Sequence, residues 1–182
     1  MQKKLILDQH LLEITISRLC YQLIENHDDF SNSAILGLQP RGKFVAERIK
    51  SQLEVLLKGK IKIGYLDTTF YRDDFRRRES PKQANETNIP FLIEDKNIIL
   101  IDDVLYTGRS VRAALDAMIS FGRPKTVELL VLVDRKYTRD LPIQPNYIGR
   151  SVNTMQSQRV MVEWREQGRK KDSIWLFNNL DT

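Results

Sequence analysis

IILIDDVLYTGRS, residues Ile98 to Ser110, is the stretch on which the reading of the fold turns. Its four leading residues, Ile98, Ile99, Leu100 and Ile101, make the short unbroken apolar run that a strand buried on both faces requires. The chain turns polar at Asp102, so the strand is expected to end there with two adjacent carboxylates, Asp102 and Asp103, at its tip. Val104, Leu105 and Tyr106 follow. Thr107, Gly108, Arg109 and Ser110 then compose a tight turn that opens a helix. Such a turn suits a phosphate, because unpaired N–H groups, the helix dipole, two hydroxyls and a glycine permitting close backbone approach all favour a dianion. Carboxylates that can accept from a diol, a few residues from a phosphate nest, point to one ligand carrying both groups. A ribose 5-phosphate group carries both.

Each half of this pattern has a plain structural explanation: the acids can be a solvated turn, and Thr107 and Ser110 can be helix caps. Their coincidence favours a functional loop. No G-x-x-x-x-G-K-[ST] pattern occurs, which excludes a P-loop. A phospho-acceptor receiver domain would carry its acid pair after the first strand, not beyond mid-chain.

The 182 residues suit one domain with a substantial core, and the single cysteine, Cys20, excludes an intrachain disulfide. Cys20 lies among Leu19, Leu23 and Ile24 and reads as a buried, inert thiol. Apolar runs such as Leu129 to Val133 are too short to span a bilayer, and the first residues lack a signal-peptide pattern, so a cytoplasmic protein is expected. A formal charge of +5 favours anionic partners without separating a phosphorylated metabolite from nucleic acid. The only histidines, His10 and His27, flank the first predicted helix, where surface or capping roles are expected. No histidine-based triad or zinc site is expected from them.

Working outward, Asp8 is the expected N-cap of a helix running to about Glu25, with Leu12, Ile16, Leu19 and Leu23 on one face. Ala34 to Leu38 reads as a strand and Gly42 to Leu57 as a helix. Ile61 to Tyr65 and Thr68 to Tyr71 read as extended segments. Arg72 to Asn88 is polar and aperiodic, a loop or hairpin. After the signature strand, Val111, Ala114, Leu115 and Met118 mark a helix, and Thr126 to Val133 a core strand. This alternation implies an α/β fold with a mainly parallel central sheet flanked by helices, binding ligands beyond the carboxyl ends of its strands.

Gln39, Pro40, Arg41 and Gly42 form a second strand-to-helix turn, where Arg41 and the amides near Gly42 suit an oxyanion, although Pro-Arg-Gly alone is also a commonplace turn. Val133, Asp134 and Arg135 end a predicted core strand on the same rim, either as an ion pair or as ligand contacts. Arg76, Arg77 and Arg78 read as a solvated charge run, with a nucleic-acid contact as the other reading.

The run Ile98–Ser110 resembles the phosphoribosyl pyrophosphate (PRPP) signature of type I phosphoribosyltransferases. LILD at 5–8, YRDD at 71–74, DDVLYTGR at 102–109, VDR at 133–135 and LPIQPNYIG at 141–149 resemble, in order and spacing, the pyrimidine operon regulators that are also uracil phosphoribosyltransferases. The resemblance covers about Leu5 to Val162. It implies a single phosphoribosyltransferase domain, with a flexible catalytic loop at about 72–88 and a small hood formed by the N-terminal segment and about 138–162. The implied reaction is uracil plus PRPP giving UMP and pyrophosphate, with Mg²⁺ held mainly through PRPP rather than by protein ligands.

By this resemblance the whole signature from Ile98 to Ser110 contacts PRPP, with Asp102 and Asp103 at the ribose. Pro40, Arg41, Gly42 and Arg72 contact the pyrophosphate, Arg72 from a closing loop. Tyr106, Asp134, Arg135, Arg159 and Val160 contact the base, and Tyr106 stands where purine-specific relatives carry an acid, which argues against a purine. Homodimers or larger assemblies are implied.

The same regulators bind a messenger-RNA leader under UMP control through basic and histidine side chains on the first helix. Here that stretch has Glu13, Ile14 and Tyr21, with Arg18 the clear base. Arg165, Arg169, Lys170 and Lys171 are the alternative basic group. An enzyme and an RNA-binding regulator with little turnover thus stand as two readings, which can coexist.

Overall fold

The apolar runs lie side by side in one parallel sheet. The computed structural model describes residues 3–69 and 86–178. Its elements are β1 (Lys3–Leu7), α1 (Gln9–His27), β2 (Ser33–Leu38), α2 (Gly42–Leu57), β3 (Ile63–Leu66) and β4 (Asn97–Leu105), then α3 (Arg109–Ile119), β5 (Thr126–Lys136), β6 (Tyr147–Asn153), β7 (Gln158–Glu163) and β8 (Ser173–Asn178). The five-stranded sheet has the order β3-β2-β4-β5-β6, with parallel pairing throughout.

Both faces of this sheet are covered, which explains why β2 and the first half of β4 are apolar without alternation. Ile99 and Ile101 pack with Leu12, Leu19, Val45 and Ile49 of α1 and α2. Ile98 and Leu100 pack with Val111, Ala114 and Met118 of α3 on the other face. Leu115 of α3 lies outside this core at 36% exposure. Truncating a core side chain such as Leu100 to Ala costs about 2–5 kcal/mol.

The helix signals work as expected. The Asp8 side chain accepts from the Leu11 amide at 2.9 Å to cap α1, and α2 spans Gly42–Leu57. Burial pushes the Cys20 thiol up to about 12, which leaves it inert. His10 is exposed, but His27 is buried, because the end of α1 packs onto Ser33 and Glu128 rather than facing water.

Other expectations differ. Thr68 to Tyr71 does not extend from Thr68: the Thr69 amide and hydroxyl both bond Asp67 Oδ1, at 3.2 and 2.7 Å, which turns the chain. Residues 70–85 lie outside the described residues. A separate antiparallel sheet, β1-β8-β7, forms the second layer at the site end. It recruits Ser173–Asn178, beyond the expected hood segments, and β6 joins the large sheet instead, because its backbone finds a parallel partner in β5.

The order of the large sheet contains a reversal. From β2 the chain moves outward through α2 to β3; from β4 it moves the opposite way through α3 to β5 and β6. The crevice between the carboxyl ends of β2 and β4 is therefore a topological switch point, where such sheets bind ligands. Among the described residues no helix is long and apolar enough to cross a membrane.

Candidate active site

Two helices begin at this crevice. Following β2, the Gln39–Pro40 peptide is cis and Gly42 opens α2 directly against β4. A Cβ on Gly42 would lie 2.4 Å from the Ile101 carbonyl and 2.9 Å from Asp102 Cα, so only glycine admits this approach. Following β4, Gly108 adopts φ +90 and starts α3, a conformation that glycine adopts without strain.

Contrary to expectation, β4 does not stop at the acids. It runs to Leu105, with Asp102 opposite Val131, Val104 opposite Val133 and Leu105 opposite Asp134 on β5. Val104 and Leu105 restore an apolar strand after the polar break, and β5 supplies the ladder.

Within β4, the Asp102 carboxylate accepts from the Asp103 amide, and that of Asp103 from the Val104 amide, both at 2.8 Å. Arg41 Nε donates to Asp103 Oδ2 at 2.7 Å, and Arg41 NH2 donates to the Val162 carbonyl at 2.5 Å. Arg41 thus ties β4 to β7 of the small sheet. Burial first, and the neighbouring Asp103 charge second, push the Asp102 carboxyl well above the usual carboxylate range, with Arg41 opposing.

The end of β5 reaches the same rim. Asp134 pairs with Arg139 rather than with adjacent Arg135, so the expected tripeptide ion pair is not formed. Arg135 donates to Thr154 Oγ1 at 3.1 Å and to the Gln158 and Met155 carbonyls at 2.8 and 3.3 Å. Its guanidinium carbon lies 3.9 Å from the centre of the Tyr106 ring, which is 38% exposed. Burial lowers Arg135, and the nearby charge of Arg159 adds to that. Arg159 is exposed on β7, next to half-buried Val160.

The structure therefore brings together Arg41, Gly42, Asp102, Asp103, the turn from Thr107 to Ser110, and the stacked pair Tyr106 and Arg135. The early residues of the signature, Ile98 to Ile101, are core: each is 0% exposed. Their part is to aim the acids. Arg72 and the YRDD segment lie outside the described residues. Sequence reasoning missed two features. One is Arg139, whose guanidinium gathers backbone carbonyls from three segments. The other is the bracing of the rim by Gln39 and Asp67: Gln39 Nε2 donates to the Glu86 carbonyl at 2.6 Å, and Thr87 Oγ1 accepts from the Asp67 amide at 3.1 Å. Neither is legible locally, since the Tyr106 carbonyl lies 33 residues from Arg139, and Glu86 and Thr87 are likewise distant from Gln39 and Asp67. Among the described residues no three His, Cys, Asp or Glu side chains gather as a metal-holding group.

A parallel sheet with paired acids and two helix starts at its switch point defines a type I phosphoribosyltransferase. The chain belongs to that family: residues 2–167 match the phosphoribosyl transferase domain. Within it the chain is of the PyrR type. It is 37% identical over 180 residues to the Bifunctional protein PyrR of Bacillus subtilis (strain 168), covering 98% of each chain. It is 42% identical over 165 residues to the protein of that name from Latilactobacillus sakei, covering 90% of this chain and 92% of that one. Among solved structures, a hypoxanthine phosphoribosyltransferase from Staphylococcus aureus matches with a TM-score of 0.70 at 17% identity, over 94% of this chain and 90% of that one. The hypoxanthine phosphoribosyltransferase of Trypanosoma cruzi gives 0.71 at 10% identity over 96% of each. These two share the fold.

Proposed function

We propose that the chain is a uracil phosphoribosyltransferase, converting uracil and PRPP to UMP and pyrophosphate. The observation that carries this reading is the crevice itself, where adjacent carboxylates on β4 stand between the start of α3 and the start of α2. Asp102 and Asp103 accept from the ribose hydroxyls and stabilise the positive charge that grows on the sugar. The amides from Thr107 to Ser110 hold the 5-phosphate. Pro40, Arg41 and Gly42, with Arg72, hold the pyrophosphate. As the C1–O bond breaks, its electron pair leaves with pyrophosphate, while uracil N1 bonds to C1 and gives up its proton to the departing pyrophosphate. No covalent nucleophile is needed, so positioning and electrostatics carry the acceleration.

The base lies near Tyr106, on whose ring Arg135 is stacked from one side, with Asp134, Arg159 and Val160 around it. Magnesium suits this donor chemistry: the adjacent carboxyl groups of Asp102 and Asp103 present hard oxygen donors that match the ion. Asp102 and Asp103 are the carboxylates that would sit beside an Mg²⁺ ion held chiefly through PRPP, and such an ion would supply charge neutralisation for pyrophosphate. The deciding assay is PRPP-dependent consumption of uracil beside hypoxanthine, guanine and orotate. Uracil alone should be consumed; preference for a purine or orotate overturns the assignment.

A second reading, regulation of pyrimidine genes by binding a messenger-RNA leader under UMP control, is supported by the name "bifunctional" carried by the relatives. The face of α1 argues for a minor role. Leu11, Ile14 and Tyr21 are exposed there, and Arg18 NH2 donates inward to the Ile148 and Gly149 carbonyls at 3.1 and 2.7 Å. Affinity for a pyrimidine leader transcript against unrelated RNA, at two salt concentrations, separates the readings. A cytoplasmic homodimer or larger assembly is part of the same proposal.

A further inference from the structure

Successive backbone carbonyls at the mouth of the phosphate turn are held from behind by one short segment. The Arg139 guanidinium donates to the Tyr106 carbonyl and, at 3.5 Å, to that of Leu105. The amides of Asp140 and Leu141 donate to the Thr107 carbonyl at 3.0 and 3.3 Å. The same guanidinium bonds the Arg135 carbonyl at 3.0 Å and the Ile143 carbonyl at 3.1 Å, and pairs with Asp134. Leu141 and Ile143 close on Gly108, where an added Cβ would lie 3.5 and 3.2 Å from them.

A trans peptide is planar, and its C=O and N–H point in opposite directions. Carbonyls of Leu105, Tyr106 and Thr107 drawn toward Arg139–Leu141 therefore turn the N–H groups of Tyr106, Thr107 and Gly108 away from that segment. Those groups are fixed before any ligand arrives, which removes an ordering cost from binding. The charge of Arg139 is already neutralised by Asp134, so Arg139 acts through the backbone and not as a phosphate ligand.

We propose that Arg139, held by Asp134 and the Arg135 carbonyl, is a positioning residue that presets the phosphate turn. The inference rests on the phosphoribosyltransferase reading of the same turn. A guanidinium fork can serve several carbonyls at once; an ammonium cannot reproduce that geometry.

The test compares wild type with Arg139→Ala, Arg139→Lys and Arg139→Gln, measuring calorimetric binding of ribose 5-phosphate and KM for PRPP and for uracil. Arg139→Gln keeps two N–H donors on a shorter, neutral side chain and carries the comparison if the alanine variant does not fold. Affinity for ribose 5-phosphate and KM for PRPP should worsen roughly 10- to 100-fold, what the loss of one hydrogen bond to a charged group amounts to. KM for uracil should stay within about twofold, and lysine should fail to rescue. Full rescue by lysine, or equal losses for both substrates, overturns the proposal. Wild-type protein that binds ribose 5-phosphate alongside variants that match it refutes this inference alone. Wild-type protein that binds neither ribose 5-phosphate nor PRPP refutes the underlying reading as well.

Discussion

The two ends of the large sheet both bury ionisable side chains, and they settle them differently. At the amino ends of the strands, His27 lies 2.9 Å from Ser33 Oγ and 3.0 Å from Glu128. Tyr147 donates to the same Glu128 oxygen at 2.6 Å, and Asn26 donates to Tyr147 at 3.1 Å. Ser33, His27 and Glu128 thus follow one another at hydrogen-bond distance, an arrangement not expected from the sequence. With Ser33 only 2% exposed, no substrate reaches its hydroxyl. At the carboxyl ends, Asp103 pairs with the guanidinium of Arg41, and burial together with the Asp103 charge drives neighbouring Asp102 toward its neutral form. A network whose members satisfy one another is architecture. One that holds a buried carboxyl toward its neutral form beside a second carboxylate is arranged for a ligand that brings positive charge or hydroxyl donors.

The comparison is broken most directly by changing the rim and watching activity. Asp103→Asn removes the partner of Arg41 and a charge at the proposed ribose site while keeping the side-chain volume. Turnover should fall by roughly 10²–10³-fold, the scale of a lost electrostatic contact at a reacting centre, with far-UV circular dichroism unchanged. Turnover near wild type would separate Asp103 from the chemistry.

Next in size is Gly42→Ala. The added Cβ would sit 2.4 Å from the Ile101 carbonyl, a backbone atom that cannot swing aside. Relief requires α2 to retreat from β4, at about 1–3 kcal/mol. Thermal melts should show the loss, and KM for PRPP should rise because the amides of the second turn move with α2. A variant that melts like wild type would mean that α2 tolerates the shift and that the close approach is incidental.

How much of this contrast was legible in the sequence follows from the range of the interactions. The rim was readable because its parts are local: an apolar run, two acids and a glycine turn lie within thirteen residues, and Asp8 caps its own helix. Where the pattern misled, a distant partner had overruled it. Asp102 looked like the end of a strand because polarity breaks the run there, yet pairing with Val131, Val133 and Asp134 carries β4 on to Leu105. Ser173–Asn178 gave no local sign of its place beside Lys3–Leu7, since that pairing spans nearly the whole chain. His27 read as a surface or capping group because Glu128 and Tyr147, which bury it, are a hundred or more residues away.

At the closed end the same logic predicts a loss of stability without a loss of chemistry. Glu128→Ala leaves the His27 ring and the Tyr147 hydroxyl without their shared acceptor in a buried setting, at about 1–3 kcal/mol. A chain of this size loses roughly 2–4 °C in Tm for each kcal/mol. Activity per folded molecule should be unchanged; a fall in kcat would show that the two ends communicate.

The smallest effect is the sharpest test of the difference in charge balance. Because the Asp102 carboxyl is raised in the folded chain, over the pH range between its unfolded and folded values the folded state holds a proton that the unfolded state has released. Stability from this group is therefore complete below the unfolded value, near 3.9, and declines as pH rises through the folded one. Asp102→Asn removes that dependence. The variant should gain Tm over wild type as pH is raised from about 4, with the gain levelling once the wild-type carboxyl is ionised, even as activity falls. Parallel Tm–pH curves for wild type and Asp102→Asn would mean that the Asp102 carboxyl is not raised in the folded chain, and the distinction between the two ends would fail.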